Sequence, residues 1–158
     1  MKNLLIILFL VATAFIAGVL PLFTNQNRDL YTYFGIHLPL NSDTLWSLVQ
    51  DWRVKNNLKS YIKDQRLCEI AKIRVHDVES DWSHVKFNDI EYRTIYFQPL
   101  APTAINMGEN LARNYASESE TLNNWLNSPS HLKNLQASFS HSCIVTDGSY
   151  ATQIFANF

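Results

Sequence analysis

Cysteine occurs only twice, glycine four times and proline five times in this chain of 158 residues. No CxxC pair is present, so a metal site built on cysteines is not expected. There is no tract biased toward a few residue types and no repeat at a solenoid period, which excludes low-complexity and repeat architectures. Charge is sparse as well: 13 Lys+Arg face 14 Asp+Glu, a formal net charge of -1. Nucleic-acid affinity rests largely on clustered Lys and Arg, and no such cluster occurs, so no nucleic-acid partner is expected. What the chain does have is apolar and aromatic side chains, 47% and 13% of its residues. That composition excludes wholesale disorder, and the length suits one domain.

Much of the apolar content stands at the start. Leu4 to Phe23 carries no charge and follows Met1-Lys2-Asn3. As a helix it would span roughly 30 Å, the thickness of a bilayer core. An uncleaved membrane anchor and a cleaved signal segment compete for residues 1–23. The only A-x-A, Ala12-Thr13-Ala14, comes early, and the run continues through Phe15, Ile16, Val19 and Leu20. This favours the anchor, with the membrane as a partner through Leu4–Phe23. Either reading places the remainder outside the cytoplasm. Residues 24–41 read as a linker, and residues 42–158 as the folded domain. In an oxidising compartment Cys68 and Cys143 can close one disulfide; the other reading is two separately buried thiols.

Within the domain, Ser42 and Asp43 offer an N-cap before Leu45, Trp46, Leu48, Val49 and Trp52, which recur at helical spacing. A second amphipathic helix is expected from about Asp64 to Glu79. Arg74 lies on its apolar stripe, where it either buries its stem or pairs with an acid. Tyr92 to Phe97 is aromatic and β-branched, and predicts a strand ending before Pro99. Ser117 and Glu120 have capping-box spacing ahead of a third helix, and Ser128-Pro129 start a short fourth. Phe139 to Asn157, turning at Asp147-Gly148, predicts an antiparallel hairpin. Helices followed by a hairpin point to a mixed, layered α+β domain.

Three polar clusters could carry chemistry: Trp82-Ser83-His84, Gly108-Glu109-Asn110, and Ser128-Pro129-Ser130-His131. His84, Glu109 and His131 are sufficient donors for a divalent cation such as zinc, with open positions for substrate or water. The same groups can hold a polar ligand, or fasten loops by hydrogen bonds. A serine hydrolase lacks its G-x-S-x-G elbow, and a Cys/His protease conflicts with an oxidising compartment. His37, His76 and His141 group with no carboxylates and read as structural or solvated.

Leu67-Cys68-Glu69-Ile70-Ala71 with Arg74, Trp82 to Phe87, Gly108-Glu109-Asn110-Leu111-Ala112, Trp125 to Leu135 and Tyr150 to Phe155 follow one another in a familiar order. Together they resemble the CAP superfamily (SCP domain), which includes cysteine-rich secretory proteins, antigen 5 and pathogenesis-related proteins. The compact bacterial branch is the most similar. The resemblance implies a three-layer α-β-α sandwich with a central antiparallel sheet and a shallow cleft lined by His84, Glu109 and His131. It also implies a divalent cation in some members. Larger members add a second glutamate before the last histidine, and Trp125-Leu126-Asn127-Ser128 offers none. The expected function is a membrane-tethered or secreted extracytoplasmic module. It would bind a lipid, a small molecule or a cell-envelope component without catalysis. The alternative is a metal-dependent hydrolase using the same three residues.

Overall fold

The structure, a computed structural model, describes residues 38–158. The anchor or signal reading of residues 1–23, most of the proposed linker and His37 lie outside the described residues. No helix among the described residues is long and apolar enough to cross a membrane.

Among the described residues six helices and four strands follow in the order α1 (Ser42–Lys55), β1 (Ile62–Lys63), α2 (Gln65–Ser80), α3 (Val85–Asn88), α4 (Ile90–Tyr96), β2 (Asn106–Arg113), α5 (Glu118–Asn127), α6 (Pro129–Gln136), β3 (His141–Asp147) and β4 (Tyr150–Asn157). The strands form one sheet in the order β1-β3-β4-β2. The expectation of an antiparallel sheet is corrected to a mixed one. Two residues of β1 run parallel to β3, pairing Ile62 with His141 and Lys63 with Ser142. The β3–β4 hairpin and the β2–β4 pair are antiparallel. The hairpin turns at Gly148, whose φ of +54° suits a residue without a Cβ.

Alternation along the strands divides the core. On one face Cys143, Ile154 and Ala156 pack with Leu67, Ile70 and Ala71 of α2 and with Phe87 and Phe97. On the other, Ile144, Ala151 and Phe155 pack with Leu45 and Val49 of α1, Trp125 of α5 and Leu135 of α6. Cys68 of α2 is bonded to Cys143 of β3, so the disulfide joins helix to sheet across the first cluster.

Local caps explain most boundaries. Asp64 accepts from Arg66 N–H at the start of α2, and Ser117 from Glu120 N–H at the start of α5. For α1 the cap is Asn41, which accepts from Thr44 N–H. Ser42 instead uses its hydroxyl to accept from Thr146 N–H, 3.0 Å away, tying the helix start to β3. The predicted strand at Tyr92–Phe97 is helix α4. Asp89 accepts from Tyr92 N–H and nucleates the turn, and short-range aromatic contacts of Tyr92 with Tyr96 and Phe97 then favour helix over strand. Leu40, at the end of the lead-in, is buried and donates its N–H to Gly148 O.

Candidate functional site

The site forms on β2, the edge strand of the sheet. Asn114 N–H donates to Ser149 O, so the even-numbered residues of β2 bond to β4 and the odd-numbered ones turn their backbone groups outward. Two side chains cover that edge. Asn134 Nδ2 donates to Glu109 O at 3.0 Å, and Trp125 Nε1 donates to Leu111 O at 2.9 Å. An edge masked in this way offers fewer free acceptors to a foreign strand. Gly108 admits a close neighbour as well: a Cβ there would lie 3.1 Å from Phe139 Cζ.

Glu109 points to the α2 face and Asn110 to the α6 face, as the strand period dictates. The Glu109 carboxylate is almost fully buried and fully engaged. Arg74 Nε donates to Oε1 at 2.7 Å, Arg74 Nη2 reaches Oε2 at 3.3 Å, and His84 Nδ1 meets Oε2 at 2.8 Å. Arg74, with no exposed side-chain surface, also donates to Ser83 O at 3.1 Å and to Asp77 Oδ2 at 3.3 Å. The first of these bonds fixes the loop that presents His84. Asp77 in turn accepts from Lys86 Nζ and from the Tyr92 hydroxyl. Burial pulls the Arg74 pKa down, but the hydrogen bonds and charge of Glu109 outweigh it and the net direction is up. Burial and the hydrogen bond to Asp77 push the Tyr92 phenol well above its ordinary range.

His131 approaches from α6. Its ring centroid is 6.4 Å from that of His84, edge to face, and its backbone oxygen accepts from Asn110 Nδ2 at 3.2 Å. Burial, and secondarily the neighbouring His84, hold the His131 imidazole below its usual 6.5, so the neutral form is favoured. Trp82 is 38% exposed and carries Arg113 over its ring, with Cζ 4.5 Å from the centroid. The three sequence-predicted residues are therefore neighbours, joined as His84–Glu109 contact and His84–His131 ring pair. Among the other histidines, His76 is exposed, and His141 is half-buried against Ser140 and Phe158.

The donor set does not suit a divalent cation held by all three. Both Glu109 oxygens are committed to a guanidinium and an imidazole, and a second cation there would face the Arg74 charge at close range. Among the described residues no group of three His, Cys, Asp or Glu side chains is placed to hold a metal ion. What remains is a pair of imidazoles, one short of the three protein ligands of a catalytic zinc site.

The sequence places Asn110 in one of the three polar clusters, but it does not assign Asp77, Tyr92 or Asn134 to the site. Asp77 follows Arg74 by three positions and Asn134 follows His131 by three, so helical spacing was the available signal. Arg53, also unassigned, is 2% exposed beneath α6, where it donates to Leu135 O, Lys59 O and the Tyr61 hydroxyl. Burial, opposed by that guanidinium, pushes the Tyr61 phenol up to about 12.

Comparison with solved structures decides the fold. An extracellular SCP-domain protein of Bacillus anthracis matches with a TM-score of 0.65 and 24% identity, over 74% of this chain and 40% of that one. The fold is that of the SCP domain. A cysteine-rich secretory protein of Staphylococcus aureus also matches, with a TM-score of 0.65 and 16% identity over 87% of this chain and 40% of that one. An outer surface protein of Borrelia burgdorferi gives 0.62 and 22% identity, over 73% and 90% of the two chains. This SCP-fold chain spans about two fifths of the length of the first two structures. No family model and no curated protein matches the sequence.

Proposed function

We propose that this chain is an extracytoplasmic SCP module that binds a ligand at the cleft of His84, Glu109 and His131 without catalysing a reaction. The observation that carries this reading is the saturation of Glu109. Both of its carboxylate oxygens are already hydrogen-bonded, to Arg74 and His84, and the side chain is only 1% exposed, so water and substrate have almost no access to it. What faces the ligand is then the imidazole pair and the Trp82–Arg113 rim, a surface suited to hydrogen bonding and stacking. The Cys68–Cys143 disulfide supports an oxidising compartment. The structural neighbours point the same way, being named as extracellular, secretory and outer-surface proteins. In this reading Leu4–Phe23 tethers the module to the membrane, and its ligand is a lipid, a small molecule or a cell-envelope component.

The test uses the full chain in detergent. Lipid and glycan extracts of the cell envelope are added separately while the imidazole resonances of His84 and His131 are followed. Saturable shifts from one extract are expected, and their loss in His131→Ala. Turnover of peptide or ester substrates that disappears in His84→Ala and His131→Ala would overturn the non-catalytic reading. Intact mass of the membrane-fraction protein tests the tether: Met1-Lys2 is retained in an anchor, and a mature start near Thr24 refutes it.

A further inference from the structure

We infer that Arg74 is the specificity-determining residue of the cleft: its guanidinium serves as a resident cation beside Glu109 and keeps divalent metal ions off that carboxylate. Three observations converge on this. The guanidinium meets both carboxylate oxygens, at 2.7 and 3.3 Å, from a side chain with no exposed surface. It is held in place from other directions by Ser83 O and Asp77, so it cannot swing aside without breaking bonds made by α2 itself and by the His84 loop. And the Glu109 side chain, 1% exposed and bonded through Oε2 to His84 Nδ1, presents almost no surface to an incoming ion. Arginine remains charged at any pH the fold survives, so the exclusion is permanent rather than titratable.

Charge balance follows directly. Arg74 and Lys86 offset Glu109 and Asp77, and the cleft reaches neutrality without an added ion. The His84–Glu109 contact then orients the imidazole by one nitrogen and leaves the other for a ligand. The ligand class selected is a neutral or anionic hydrogen-bonding molecule and not a metal cation. This inference concerns the same cleft as the binding reading, but its test measures zinc and not ligand capture, so each can fail alone.

The test is calorimetric titration of the metal-free full chain with zinc, in wild type, Glu109→Gln, Arg74→Met, Arg74→Lys and the Arg74→Met/Glu109→Gln double variant. Wild type, which offers zinc only the two imidazoles, should bind it weakly, and Glu109→Gln should change that weak affinity less than twofold. Arg74→Met should bind zinc at least tenfold more tightly and gain melting temperature on zinc addition, and the double variant should lose that gain. Arg74→Lys, which keeps the charge, should behave as wild type. A tenfold loss of wild-type affinity in Glu109→Gln would overturn the inference, as would a folded Arg74→Met with unchanged affinity. If Arg74→Met fails to fold, the comparison of wild type with Glu109→Gln and Arg74→Lys decides by the same criteria.

Discussion

Arg74 Nε lies 2.7 Å from Glu109 Oε1, with side-chain exposures of 0% and 1%. A pair this deeply buried contributes most visibly when it is broken, because the survivor is left as an uncompensated charge. Truncating either member is expected to cost about 3–5 kcal/mol, whereas an apolar replacement of both recovers much of it. Arg74→Met and Glu109→Leu should therefore each be strongly destabilised in urea titrations, and the Arg74→Met/Glu109→Leu double variant less so than their sum. Additive losses would mean that the pair is not a unit.

The disulfide closes a loop with a sequence separation of 75. Constraining the unfolded chain over that length is worth about 4–5 kcal/mol in the chain-entropy account. Dithiothreitol should lower the urea midpoint of the wild type substantially, and Cys68→Ala/Cys143→Ala should reproduce the reduced value without responding to reductant. A midpoint indifferent to reductant would place the stability elsewhere.

Much of this architecture was legible from side-chain chemistry acting locally. Asp64, Ser117 and Pro129 mark helix starts because capping needs only neighbouring residues. Gly148 marks the hairpin for the same reason. Strand β2 was not legible. Glu109 and Asn110 are polar residues inside a buried strand, and only tertiary partners, Arg74 and Asn134, make their burial tolerable. Tyr92–Phe97 misled because aromatic and β-branched composition describes a strand equally well, and the deciding cap at Asp89 lies just before it. For the candidate site, motif order marked His84, Glu109 and His131. The fate of Glu109 depended on Arg74, which the stripe flagged as anomalous without naming its partner.

Burial and the nearby His84 ring hold the His131 imidazole below its ordinary 6.5. The unfolded chain therefore takes up a proton that the folded chain resists. The contribution of His131 to stability is complete above that ordinary value and is lost as pH falls from it through the depressed folded value. Melting temperature should decline on acidification across this window, and His131→Gln should flatten the decline. An equal decline in the variant would overturn the assignment of the proton uptake to His131.

Gly108 is in close contact with Phe139, whose ring stacks on Phe155 with centroids 5.4 Å apart. An added methyl must push that stacked ring aside. Gly108→Ala is expected to cost about 1–3 kcal/mol, as overpacking usually does. Phe139→Leu in the same background should recover part of the loss, since the smaller side chain gives the methyl room. If Gly108→Ala is as stable as wild type, the ring yields freely and the close packing has no energetic weight.

The edge of β2 is masked by donors from two helices, Asn134 of α6 at Glu109 O and Trp125 of α5 at Leu111 O. Each removed donor leaves a carbonyl without its partner, at about 1–3 kcal/mol apiece. The consequence goes beyond stability, because a bare edge presents outward-facing backbone groups to any other strand. Asn134→Ala and Trp125→Phe should each lower the denaturation midpoint. The double variant should in addition associate with itself in a concentration-dependent way by sedimentation, while the wild type at the same concentrations does not. Because Asn134 also donates to Asn110 Oδ1 at 2.9 Å, its loss should shift the His131 imidazole resonance through the Asn110 contact to the His131 backbone, and Trp125→Phe should leave that resonance in place. A monomeric double variant would show that the helices mask the edge by packing alone, with the two side-chain bonds contributing only to stability.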